Sequence, residues 1–182
     1  MKFEIKSIST IMDETEYPGI RIMLDTTLET MRTPLKIDFS TGDVITPHEV
    51  SYSFRLLFEE RIISILAYNL ETILAEKIET LIARGTTNTR MRDFYDIFVL
   101  VNTQAHNIDN ATFKDAFAKT SEKRGSIVLL PDMDLILREI SESAALVDLW
   151  RNYQRKFDYA ANISWDDAVD SVKRLTDIIK TK

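Results

Sequence analysis

Cysteine is absent from the 182 residues, which removes disulfides, thiolate metal sites and a cysteine nucleophile together. Histidine occurs twice, too few for a His-rich zinc site. Four Gly and four Pro exclude a loop-rich, collagenous or low-complexity chain. No apolar run approaches the roughly 20 residues a membrane-spanning helix needs. Met1-Lys2-Phe3-Glu4-Ile5-Lys6 is not a signal peptide. The expectation is a soluble, cytoplasmic protein with no membrane partner. What is present is ordinary for such a chain: 45% hydrophobic and 29% charged residues in 21.0 kDa. That size suits one domain, or one domain with a small helical lobe, and buries roughly 70% of the surface exposed on unfolding.

A net charge of -6 argues against a surface devoted to nucleic acid. Residues 1–50 hold five basic and nine acidic residues, whereas residues 51–104 hold six and seven. In that second stretch Arg84, Arg90 and Arg92 fall together between Glu79 and Asp93. A local cationic spot on an acidic protein suits one phosphate-bearing group better than a long duplex.

The first third reads as β. Phe3–Ile8, Gly19–Asp25 and Leu35–Phe39 alternate at period two, and Ser40-Thr41-Gly42-Asp43 is a turn-forming cluster. Pro18-Gly19 separates the first two strands, and Ser51–Phe58 and Ile62–Tyr68 read as two shorter ones. From Asn69 the period becomes helical: Leu70, Ile73, Leu74, Ile78, Leu81 and Ile82 recur, and Gly85 stops the run. A second helix carries Phe94, Ile97, Phe98 and Val101, with further helices expected near 110–122, 132–149 and 164–180. The fold class is α+β, a small antiparallel or mixed sheet followed by a helical bundle. The change of period divides a β region at 1–68 from a helical domain at 69–182.

Lys77 is the first residue out of place. On a helix it lies about 40° from Ile73 on one side and about 40° from Leu81 on the other, in the middle of an apolar stripe. Arg84 follows at nearly the same azimuth, about 10 Å along the axis. Either both stems lie along apolar surface with their heads in water, or this face looks into a cleft holding anions. Asp93 and Asp96, three apart at a helix start, suit the positive end of the helix dipole. They could equally pair with Lys77 or Arg84 across the two helices and shape one polar site. Lys36 and Asp38 share a strand face opposite Leu35, Ile37 and Phe39. They form a solvent-facing ion pair, or part of a metal and phosphate site with Asp38 as an oxygen ligand for magnesium. Gly125-Ser126 before Asp132-Met133-Asp134 imitates a phosphate turn with a metal pair. Residues two apart on a helix diverge by about 200°, so these acids read as a helix start.

Three segments together resemble one family: Thr33–Pro47 with Lys36-Ile37-Asp38, Ala67–Leu81 with Leu74-Ala75-Glu76-Lys77, and Arg84–Asp96 with Arg92-Asp93-Phe94-Tyr95-Asp96. The chain is similar over residues 1 to about 125 to the AbiEii/AbiGii-type nucleotidyltransferase toxins, associated with abortive phage infection and type IV toxin–antitoxin pairs. The resemblance implies magnesium-dependent transfer of a nucleotide from a nucleoside triphosphate to an acceptor, RNA among the candidates, and a cognate antitoxin as partner. It implies Asp38, Lys77, Asp93 and Asp96 as catalytic residues. Lys36, Lys77, Arg84 and Arg92 would bind nucleotide, and Asp38 would ligate the metal.

Family members carry a Gly-Ser turn and an Asp-x-Asp pair ahead of these segments. No such motif precedes Lys36, and Asp13-Glu14-Thr15-Glu16 reads as a loop without the Gly-Ser turn; the expectation is a truncated gene, a true start upstream of Met1, or a fold kept for a non-catalytic role. The expectation is a truncated nucleotidyltransferase-like fold with a weak or absent magnesium site, so whether the chain is an enzyme stays open. The competing readings are a non-catalytic interaction or nucleotide-binding module, and nucleic-acid binding through Arg84, Arg90 and Arg92. A β region lacking its neighbours also leaves a strand edge and uncovered Ile20, Met23, Ile37 and Phe39. A homodimer through the N-terminal strands is therefore expected, with 3–8 and 19–25 as edge segments guarded by Lys2, Lys6 and Arg21.

Overall fold

A computed structural model describes residues 1–11 and 19–181. The Asp13-Glu14-Thr15-Glu16 loop and Pro18 lie outside the described residues. The architecture is α+β, with five antiparallel strands in two small sheets and six helices among the described residues. Residues divide into two compact units, 1–43 and 44–182. This division follows contacts, whereas the boundary near 69 marks the change in residue period.

In the first unit, β1 (Lys2–Ile11), β2 (Gly19–Leu28) and β3 (Met31–Phe39) form an antiparallel sheet in the order β1-β2-β3. Register explains the faces. Ile5, Leu24 and Leu35 lie in one cross-strand row, and Ile8, Ile22 and Ile37 in the next but one. Strict alternation would put Ile5 and Ile8 on opposite faces. A bulge between Ile5 and Ser7 absorbs one residue and keeps both on the same face. The strand expected over 3–8 is thus longer and not continuously alternating. The other face carries Arg21, Met23, Lys36 and Asp38, as the period-two reading of 35–39 requires. β2 is the central strand, which corrects the expectation that 19–25 forms an edge: both its sides are paired, leaving β1 and β3 outside. Pro34 sits on β3, where a missing backbone donor is tolerated. Gly19 is required by crowding, since a Cβ there would stand 2.7 Å from the Phe39 carbonyl oxygen and 2.9 Å from Ile11.

The second unit opens with a hairpin of β4 (Val50–Arg55) and β5 (Ile62–Ala67), closed where the Leu56 N–H donates to the Arg61 carbonyl. β4 ends three residues before the expected Phe58. The helices follow: α1 (Leu70–Arg84), α2 (Met91–Gln104), α3 (Asn110–Lys123), α4 (Met133–Glu142), α5 (Ala144–Lys156) and α6 (Trp165–Lys180). The helix expected over 132–149 is two. Ser143 takes an extended conformation, ending α4, and its hydroxyl accepts from the Leu146 N–H to cap α5. Asp132 makes no side-chain cap, because residues 126–132 form a 3₁₀ turn first. Ser164 does cap α6, accepting from the Asp167 N–H.

The core of this unit is helical. Leu74, Ile78 and Leu81 of α1 are fully buried with Phe94 and Ile97 of α2, Phe113 of α3, and Val172 of α6. Asn69 starts α1 by accepting from the Thr72 N–H, while its amide donates to the carbonyls of Thr46 and His48. That clamp fastens the segment before β4 to the helix. At the other end Gly85 takes φ +50°, and its N–H donates to the Leu81 carbonyl.

Candidate functional site

Lys77 points from α1 to α2. Its ammonium donates to Asp93 Oδ1 at 2.8 Å and to Asp96 Oδ2 at 2.7 Å. The three side chains are 19%, 11% and 25% exposed, so solvent screens these pairs only in part. The apolar stripe carries Lys77 between Ile73 and Leu81 to this point, and Asn88 prepares the other side. Its Oδ1 accepts from the Arg90 N–H, shaping the turn that starts α2 and places Asp93 in the first helical turn. Asn88 is a positioning residue that the helical and strand patterns do not single out.

Two guanidiniums gather on the same carboxylates. Arg90 Nε stands 3.6 Å from Asp93 Oδ2, and Arg92 Nε stands 3.8 Å from Asp96 Oδ2. Arg92 is 79% exposed, so its donors remain open to solvent. Arg84 is exposed on the last turn of α1 and makes no ion pair among the described residues. The pairing across the helices therefore uses Lys77 alone and both acids. With three cations on two carboxylates, the cluster carries surplus positive charge on an acidic protein.

Lys36 and Asp38 belong to the first unit, with a different partner. Arg21, directly opposite on β2, donates Nε to Asp38 Oδ1 at 2.7 Å and Nη2 to Oδ2 at 2.9 Å. Lys36 reaches Asp38 only at 3.9 Å. The hydrogen bonds from Arg21 hold the Asp38 carboxyl below the usual aspartate range, with Lys36 adding a minor pull. Arg21 is a cross-strand partner, visible only once register is known. Both oxygens of Asp38 are engaged, and Asp93 and Asp96 hold Lys77. Among the described residues no three carboxylates or histidines gather as a metal site. Asp134, half of the Asp-x-Asp imitation, pairs with Lys180 of α6.

An aromatic cluster borders the α2 face. Tyr95 packs on Tyr159 at 4.6 Å between centroids, and the Tyr153 and Tyr159 hydroxyls are 3.0 Å apart. Burial first, then the hydrogen bond to Tyr159, pushes the Tyr153 phenol well above its ordinary value, with Asp96 adding to the effect and Arg92 opposing it.

The model of the family described as nucleotidyl transferase AbiEii toxin, type IV TA system, matches residues 2–171. The chain belongs to this family. The match runs beyond residue 125 and takes in α4, α5 and the start of α6. An AbiEii-family chain is thus nucleotidyltransferase-like and comes from a type IV toxin–antitoxin system, whose other member is a cognate antitoxin. Comparisons with curated proteins and with solved structures give no match. No helix among the described residues is long and apolar enough to cross a membrane.

Proposed function

We propose that this AbiEii-family chain binds a nucleoside triphosphate where α1 meets α2, as part of a toxin that transfers a nucleotide to an acceptor such as RNA. One observation carries the reading: Asp93 and Asp96 neutralise Lys77 and hold Arg90 and Arg92 while the guanidiniums stay open. In this arrangement the acids position and the arginines bind. Arg84 and Arg92 supply fork-shaped donors to phosphate oxygens, and Lys77 fixes the distance between the helices. Calorimetric titration with ATP and with inorganic tripolyphosphate tests it. Saturable binding of both, weakened by Arg84→Ala and Arg92→Ala and by added salt, is expected. No binding at millimolar ligand overturns it.

The absence of a fitting metal cluster among the described residues favours a second reading, a non-catalytic module. It requires that Asp38→Ala and Lys77→Ala leave antitoxin binding intact, and loss of binding in both rejects it. The first sheet pairs with a second copy along β1. The outer position of that strand and the exposed Phe3, Ile5 and Ile8 support this. Light scattering should give twice 21.0 kDa, and a species near 21.0 kDa overturns the dimer.

A further inference from the structure

We infer that Tyr159, backed by Phe157, is a stacking platform for the nucleobase of a bound nucleotide; this rests on the triphosphate site proposed above. The two rings lie 5.3 Å apart at 23°, close to parallel. Tyr159 is 54% exposed although it touches three other aromatic rings. An aromatic ring left this open at the edge of a half-buried cluster offers π surface that the fold does not consume.

The platform is held in place and packs against α2, the helix that carries Arg92. The 3.0 Å contact between the Tyr153 and Tyr159 hydroxyls, with Tyr95 packed at 4.6 Å, limits how the Tyr159 ring can turn. Tyr95, which touches Tyr159, precedes Asp96 on α2, and Asp96 holds the Arg92 guanidinium at 3.8 Å. One tyrosine thus separates an exposed guanidinium from an exposed planar ring. A nucleotide presents the complementary pair, anionic phosphates joined to a flat base. Stacking of this kind tolerates every base, because each has a π face, so the platform adds affinity without selecting sequence. Apolar peptides or lipids would not use the guanidinium, and a free phosphate would not use the ring.

The test compares ligands with and without a base on the intact chain. ATP, inorganic tripolyphosphate and a short single-stranded oligoribonucleotide are titrated against wild type, Tyr159→Ala and Tyr159→Phe. Tyr159→Ala should weaken ATP about tenfold or more and leave tripolyphosphate unchanged, while Tyr159→Phe keeps most of the ATP affinity. A merely structural loss would weaken both ligands alike and overturns the platform. ATP affinity equal in wild type and Tyr159→Ala also overturns it while leaving the triphosphate site standing. A wild type that binds neither ATP nor tripolyphosphate removes the triphosphate site. In that case the platform survives only if oligoribonucleotide binding falls with Tyr159→Ala and returns with Tyr159→Phe, which assigns the base to the acceptor; otherwise it falls too.

Discussion

The three-stranded sheet and the helical unit contain the same kinds of residue and use them differently. In the helices, Phe94, Ile97 and Leu81 are enclosed on every side, and Lys77 meets its two acids where water has little access. In the sheet, Phe3, Ile5 and Ile8 stand on an exposed face, and Arg21 meets Asp38 in better geometry but in open solvent. Burial, and not the quality of an individual contact, decides what a residue contributes. A screened pair with two short hydrogen bonds is worth little, whereas a shielded pair is hard to break one partner at a time.

The largest expected effect comes from opening the helical core. Phe94→Ala should cost about 3–5 kcal/mol, and Phe3→Ala less than about 1 kcal/mol, because only the first leaves a cavity. Chemical denaturation of both variants measures the contrast, and equal costs would break it. Next is Lys77→Ala, which leaves two partly shielded carboxylates without their hydrogen-bonded cation and with only the longer contacts of Arg90 and Arg92. A loss of about 2–4 kcal/mol is expected, below that of a fully buried pair because the acids keep some water. Lys77→Ala with Asp93→Asn and Asp96→Asn should recover much of it, read as a thermal midpoint.

Two smaller effects depend on pH. The folded-state pKa of Tyr153 is raised, so its contribution is fully present below the ordinary tyrosine value of about 10 and is lost as pH rises above it. Wild type should therefore lose more stability than Tyr153→Phe between about pH 9 and 11. Asp38 has the opposite sign. Its lowered pKa contributes above the ordinary carboxylate value of about 3.9 and loses that contribution as pH falls through the folded value. Being exposed, it gives the smallest effect, best read from its carboxyl resonance in an acid titration. Arg21→Gln should return that resonance to the ordinary range.

The candidate site was legible to different depths. Lys77 declared itself because a cation in the middle of an apolar stripe needs a partner, and Asp93 and Asp96 because spacing puts both on one helical surface. Asp38 was visible as a strand residue beside Lys36, but its true partner, Arg21, lies 17 positions away in sequence. Tyr153 and Tyr159 gave no signal at all, since an isolated tyrosine in a polar stretch looks like surface until α5 and the following turn bring the rings together.

Local periodicity settled what could be settled by itself: the strands at the start, the helices after Asn69, and the acids and cations available near α2. These depend on which side chains share a face, and that repeats every two or 3.6 residues. Tertiary structure decided the rest. It made β2 central, placed a bulge after Ile5, broke the helix at Ser143, and gave Lys77 to both acids while leaving Arg84 without an ion pair among the described residues. Strand order, register and ion-pair choice are contests between partners far apart in the chain, won by whichever packing buries more apolar surface with its polar groups still satisfied.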